Sequence, residues 1–194
     1  MSEPPSEATE HHRRATGRAN RARVLEAADS VFSTQGLSAS TEEVARAAGV
    51  GIGTVFRHFP TKAQLLDAVL ARRFERLREA AERLALEASP GDALVAFFRV
   101  LVRDARTKIA IVDASREVGA PADGQAARAG EELSAVVRRL IAEAQAGGEI
   151  RPDVEGQEAY AIMAGTARGL AQAQLSDEAD ERAIAVVLDG LRRG

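Results

Sequence analysis

Between Gly36 and Pro60 the chain carries two helical patterns, each only two turns long and closed at both ends by residues that stop helices. Ser40-Thr41-Glu42-Glu43 is a capping box, with Ser at N-cap and Glu at N3, and it opens a short helix that runs through Ala48. Gly49 ends that helix. A second short helix runs from about Gly51 to Phe59, and Pro60 prevents its continuation. Upstream, from about Arg18, the apolar residues Val24, Ala27, Ala28, Val31 and Phe32 recur at helical spacing until Gly36. Two short helices joined by a tight glycine-containing turn form a helix-turn-helix pattern.

In such a unit the second helix enters the DNA major groove with its N-terminal residues against base edges. The residue types suit that placement. Ile52, Val55 and Phe59 are expected to face inward onto Val44, Val50 and the preceding helix. Gly53 and Thr54 fall early on the outer side, where a missing side chain lets backbone approach phosphate and a hydroxyl reaches a base edge. Arg57 and His58 lie one turn further on, placed for phosphate or guanine. Charge is distributed accordingly. Residues 11–62 hold eight basic and four acidic residues, whereas the whole chain carries −3. A basic front on an acidic body offers one end to a polyanion.

The rest of the chain reads as helical. Ala is abundant, aromatics make up 4% and Trp is absent, a composition of small helix formers without β-branched runs. Thr61-Lys62-Ala63-Gln64 starts a long fourth helix with Leu66, Leu70, Phe74, Leu77 and Leu84 on one stripe, broken at Ser89-Pro90-Gly91. A fifth helix follows from about Asp92, then a separate short segment around 109–118. Further helices are expected over Leu133–Ala144 (ended by Gly147-Gly148), over 157–175 and over 177–191. The fold expected is all-α, with about nine helices: a disordered basic-ended arm over 1–16, a three-helix unit over 17–62 and a larger helical body over 63–194. Arg13 and Arg14 in the arm suit a minor groove.

Within the body, adaptable or polar groups on apolar helices are the candidates for lining a small-molecule cavity: Phe98, Arg103, Tyr160, Met163 and Thr166, with Arg106 and Arg116 in the same class. Ala161, Gly165, Gly169 and Ala173 repeat at intervals of four and form a ridge that another helix can approach closely. Ile184, Val187, Leu188 and Leu191 supply a matching apolar stripe, so the two terminal helices of two subunits are expected to form a four-helix dimer interface.

The segment RVLEAADSVFSTQG, followed by AGVGIGTVFRHFPTKAQLL, resembles the signature of the TetR (tetracycline repressor) family over residues 23–66. The resemblance implies a homodimeric, ligand-responsive transcriptional regulator that holds a pseudo-palindromic operator in double-stranded DNA and releases it when a small molecule binds the body. It implies base or phosphate contacts from Thr54 and Arg57, close approach at Gly53, and phosphate contacts from Ser40, His58 and Lys62. The chain departs from the family at Phe56, where Tyr is frequent, and at Gly51, where Ser or Thr is frequent. An activator of the same architecture, and a helical protein-interaction module without DNA binding, are the alternatives.

Other classes are disfavoured by what the sequence lacks. There is no Cys, and all three His precede Phe59. No glycine-rich phosphate motif or nucleophile–base pair is apparent, so neither an enzyme, a metal site nor a cofactor is expected. The N-terminus lacks the apolar core of a signal peptide and no apolar run reaches the roughly 18 residues of a membrane span, which reads as a cytoplasmic protein with no membrane partner.

Overall fold

The computed structural model describes residues 7–119, 121 and 123–192. The described residues form nine helical elements: α1 (Glu7–Gln35), a 3₁₀ turn (Gly36–Ser38), α2 (Thr41–Ala48), α3 (Ile52–His58), α4 (Lys62–Glu87), α5 (Pro90–Glu117), α6 (Gln125–Ala146), α7 (Gly156–Ala173) and α8 (Asp177–Leu191). Among them no helix is long and apolar enough to cross a membrane.

The caps legible in the sequence are made. Ser40 accepts from the Glu43 N–H at 3.1 Å, while the Glu43 carboxylate accepts from the Ser40 N–H at 2.8 Å. Thr61 accepts from the Gln64 N–H at 3.1 Å to open α4. Each satisfies a backbone donor that a helix start would leave without a partner.

Two boundaries differ from expectation. Residues 7–16 are the first turns of α1 instead of a disordered arm; residues 1–6 lie outside the described residues, as do the side chains of Arg13 and Arg14. The stretch has no apolar periodicity, but it is rich in Ala, Glu and Arg, which are good helix formers. Periodicity reports burial, not helicity. The fifth helix and the segment at 109–118 are one continuous helix, α5. No Gly or Pro lies between Asp92 and Glu117 to stop it.

The core divides into two clusters, and the division does not follow the chain. One joins α4 (Leu77, Ala81), α5 (Leu94, Phe97, Phe98), α6 (Leu133, Val137, Ile141), α7 (Met163) and α8 (Ile184, Leu188, Leu191). The other joins Val24, Ala28 and Phe32 of α1, Val44 and Ala48 of α2, and Val55 of α3 with Phe59. This second cluster also takes Leu65, Leu66, Val69 and Leu70 from α4, and Ile111 and Ala114 from the far end of α5. The boundary expected at 62/63 therefore falls short: the N-terminal core borrows the first turns of α4 and the last turns of α5. Phe74 packs against both clusters.

Two buried polar residues of α4 fasten these layers. Asp67 accepts from the backbone N–H groups of Gln125 (2.9 Å) and Ala126 (3.1 Å), capping the start of α6 across the interface. A Cβ at Gly124 would collide with that carboxylate, so glycine is needed there for close approach. Arg73 donates to Asp29 and Ser33 of α1 and, at 3.4 Å, to Thr107 of α5. Arg76 also reaches Asp29, at 2.8 Å.

Candidate nucleic-acid interface and body cavity

The turn between α2 and α3 rests on Gly49, whose φ of 63° is a left-handed conformation that costs a residue with a Cβ. Its carbonyl and that of Ala48 accept from the Arg23 guanidinium of α1 at 2.9 and 2.6 Å. Arg23 thus fixes the angle at which α3 leaves α2. Arg21 lies over the Phe59 ring at 5.2 Å from its centroid, a cation–π contact at the other end of α3. Neither role was legible in the sequence, where both residues are only part of a basic run.

α3 divides cleanly by face. Val55 and the adjoining Phe59 are buried, whereas Gly53, Phe56 (44% exposed) and Arg57 are open and Thr54 is half-open. Added Cβ atoms at Gly51 and Gly53 would meet nothing within 4 Å, so no contact inside the protomer demands glycine at either position. Ile52 is 37% exposed, contrary to the inward placement expected of it. It occupies the first position of α3 and is left out of the core cluster that takes Val50 and Val55 on either side of it. Gly51 gives α3 no side-chain cap.

The residues expected to hold phosphate are engaged inside the protein. The Ser40 hydroxyl belongs to the capping box. Hydrogen bonds from the Ser40 backbone and then its hydroxyl hold the Glu43 carboxyl below its usual range, with Arg46 and Lys62 adding. Lys62 turns back, donating to the Ala39 carbonyl at 2.7 Å with its ammonium 5.7 Å from the Phe32 ring centroid. His58 is half-buried, its ring 6.4 Å from that of Phe59. The outer face that remains is Gly53, Thr54, Phe56 and Arg57.

In the body, a cavity of about 220 Å³ opens between α4, α5 and α7. Phe74 closes it from α4, Leu101, Ala105, Ile109 and Val112 from α5, and Ala164 and Ala167 from α7. Three polar side chains reach it: Asp104, Tyr160 and Arg168. Burial raises the Tyr160 phenol above its ordinary value; Arg138 opposes this and Glu131 adds to it. Arg168 pairs with Asp113 at 3.5 Å.

Of the five residues nominated from sequence, Tyr160 alone lines this cavity. Phe98 and Met163 are wholly buried in the body core, because their helices are covered on that face by neighbours in the same chain. Thr166 is half-buried away from the lining, and Arg103 is exposed beside the surface grooves that flank α5. Arg106 is held by Asp180 and the Leu175 carbonyl, both at 2.6 Å. The Arg116 side chain lies outside the described residues. Sequence reasoning missed Asp104 and Arg168. The signal for Asp104 was its place one turn beyond Leu101 on the inward stripe of α5, where a charged residue is unusual; Arg168 lies at the edge of the α7 stripe and gave none.

The small-residue ridge is exposed: Ala161, Gly165, Gly169 and Ala173 all lie on the open face of α7, and a Cβ at either glycine would meet nothing within 4 Å. Ile162 and Val186 are exposed large apolar residues on the same two helices. The stripe expected to join them is not available, since Ile184, Leu188 and Leu191 are buried in their own protomer and Val187 packs against that core. With helix pairs on only one side, α8 spends its apolar stripe closing the body.

Residues 24–69 match the family model for bacterial regulatory proteins of the tetR family, and residues 89–193 match that for the C-terminal domain of SbtR-like transcriptional regulators. A TetR transcription regulatory protein from Mycobacterium vanbaalenii is 38% identical, with 93% of this chain and 99% of that one superposed at a TM-score of 0.73. The regulator SCO0520 from Streptomyces coelicolor is 36% identical, covering 89% of this chain and 98% of its own at a TM-score of 0.69. The transcriptional repressor KstR of Mycobacterium tuberculosis is 30% identical over 138 residues, which are 70% of this chain and 63% of that repressor. Two family models, one on each part of the chain, and a fold shared across nearly the whole length of two TetR regulators, agree with the helix-turn-helix and its helical body: the chain belongs to the TetR family of transcriptional regulators.

Proposed function

We propose that this protein is a cytoplasmic, ligand-responsive repressor that binds a pseudo-palindromic DNA operator as a homodimer and releases it when a small molecule enters the body cavity. The observation that carries this reading is the division of α3, with Val55 and Phe59 committed to the core and Gly53, Thr54, Phe56 and Arg57 left outward. Arg57 and Thr54 serve base edges or adjacent phosphates, and Gly53 permits close approach. The body communicates with this surface because the N-terminal core contains turns of α4 and α5, the helices that also wall the cavity. A ligand that displaces either helix tilts α3 and changes the separation of the two recognition helices in the dimer, which must match one helical turn of DNA, about 34 Å, or a multiple of it.

Selection of duplexes from a random pool, followed by gel shifts at several salt concentrations, tests the reading. Enrichment of a two-fold symmetric site, with affinity falling steeply as salt rises, is expected; an absence of any enriched sequence contradicts it.

The dimer is assigned to the exposed α7 ridge. A two-fold contact places the same residues on both sides, so one change acts twice. Gly165→Leu meets open space within the protomer and should still fold with its helix content intact, yet sedimentation should show a monomer and operator binding should collapse. An intact dimer would remove α7 from the interface.

A further inference from the structure

Where the N-terminal unit meets the body, an open groove of about 400 Å³ runs between α1, α4 and the start of α6. Its lining is of two kinds. Leu25, Ala68 and Ala71 are buried apolar residues that form the floor, with Ala22 beside them. Arg18 and Arg21 from α1, Arg72 and Glu75 from α4, and Gln125 from α6 form the rim. The groove shares no lining residue with the body cavity.

Charge at the rim is one-sided. Three guanidiniums stand against the single carboxylate of Glu75 among the described lining residues. Along the groove between α5 and α8, by contrast, Arg99 is paired with Glu181 and Arg106 with Asp180. Among the described residues, Arg18 and Arg72 have no hydrogen-bond or ion-pair partner. Arg21 rests over the Phe59 ring. A cleft lined by one sign of charge concentrates counter-ions, and a planar guanidinium holds a carboxylate by two parallel hydrogen bonds.

The floor discriminates among anions. A phosphate backbone or an inorganic anion gains nothing from Leu25, Ala68 and Ala71, whereas the hydrocarbon part of an organic acid leaves water by lying on them. The volume also falls within the roughly 300–1,000 Å³ of sites for drug-sized molecules. We propose that this groove is a second ligand site, separate from the body cavity, and that it takes an amphipathic organic carboxylate. The carboxylate lies on Arg18 and Arg72, and the hydrocarbon part lies on the floor. An occupant touches α1 and α6 at once, and so ties the N-terminal unit to the body.

Calorimetric titration of the full chain with octanoate, its neutral counterpart octanamide, acetate and inorganic phosphate tests the assignment. Octanoate should bind about tenfold or more tighter than octanamide, as hydrogen bonds to charged groups allow. Acetate and inorganic phosphate, which have nothing for the floor, should bind more weakly than octanoate. Arg18→Gln and Arg72→Gln remove no contact of the described protomer and should still fold. Each should lower octanoate affinity about tenfold and leave octanamide unchanged. Ala22→Glu, which sets a carboxylate one turn from Arg18, should abolish octanoate binding, and Ala164→Leu in the body cavity should leave it unaltered. Equal affinity for the acid and the amide, phosphate binding as tightly as octanoate, unaltered affinity in both arginine variants, or no heat at millimolar octanoate would each overturn the proposal. Loss of octanoate binding in Ala164→Leu alone would move the ligand to the body cavity and overturn it as well. If octanoate does not bind while both arginine variants flatten the salt slope of duplex binding, the groove serves a phosphate backbone and the proposal falls.

Discussion

The DNA-reading end and the body use their helices in opposite ways. In α3 the residues that hold the fold and those that face outward occupy different sides, Val55 and Phe59 against Gly53, Phe56 and Arg57. In the body the same residues do both: Leu101 and Ala167 are buried members of the core and also line the cavity. A two-turn helix that docks on a small core can present a free face. A layered body of longer helices has none to spare, and its cavity is a place where packing is incomplete. Substitutions should therefore separate stability from binding at the DNA end and confound them in the body.

The largest test asks where that separation stops. Ile111 of α5 is fully buried in the N-terminal core although it lies more than fifty residues from α3 in sequence. Ile111→Ala should cost about 2–5 kcal/mol in chemical denaturation. It should also weaken DNA binding, because the floor under α1 and α4 is loosened. Full operator affinity in a variant destabilised by that amount would show that the DNA-reading unit stands without α5.

Arg73 comes next. Its guanidinium ties α1 to α4 and reaches α5. Removing one partner of a fully buried pair costs about 3–5 kcal/mol, and Asp29 retains Arg76 and some solvent. Arg73→Met should therefore cost roughly 2–3 kcal/mol. A cavity ligand should still bind this variant by fluorescence titration but should no longer release DNA. Normal release would place the coupling elsewhere, at the Asp67 cap of α6 in the first instance.

A paired comparison sharpens the contrast within the DNA end. Arg57 is exposed, and Arg57→Ala should leave stability unchanged while costing about 1–3 kcal/mol of operator affinity if it meets a base. Lys62 is turned inward onto Ala39 and Phe32, and Lys62→Ala should lower stability by about 1 kcal/mol. Its weakening of DNA binding should follow that loss and leave the salt slope unaltered. A flatter slope in Lys62→Ala would restore the phosphate contact that its type suggested.

What was legible follows from the same contrast. Caps, glycine stops and apolar stripes act within a few residues, so α2, α3, the start of α4 and the family signature could be read directly. The ridge at Gly165 and Gly169 was visible as spacing and is exposed in the protomer. What could not be read was which neighbour covers a given stripe. Ile184, Leu188 and Leu191 form an apolar face that suits a dimer as well as a body core, and only the position of α5 and α7 decides between them. The existence of an apolar cavity in the body was legible but most of its lining was not, for the same reason: small residues from α5 and α7 create it jointly, and Met163 and Phe98 are removed from it by packing. Lys62 and Ser40 show a further limit, since residue type predicts what a side chain can bind but not whether the protein already uses it.

The smallest effect isolates a single hydroxyl. Phe56 is 44% exposed on the outer side of α3, among residues that make no demand on the core. A tyrosine at this position adds one oxygen at the ring edge without changing volume inside the protein, so the melting temperature should not move. If the edge points at a phosphate, Phe56→Tyr supplies one hydrogen bond to a charged acceptor and should tighten operator binding by about 1 kcal/mol. The gain should be the same on every sequence, because phosphates carry no base identity. Binding curves on the selected operator and on an unrelated duplex, at matched salt, separate the outcomes. Equal gains on both support a backbone contact, a gain on the operator alone makes position 56 a base reader, and a loss of affinity with a lowered melting temperature would mean that the outward face of α3 has been drawn on the wrong side.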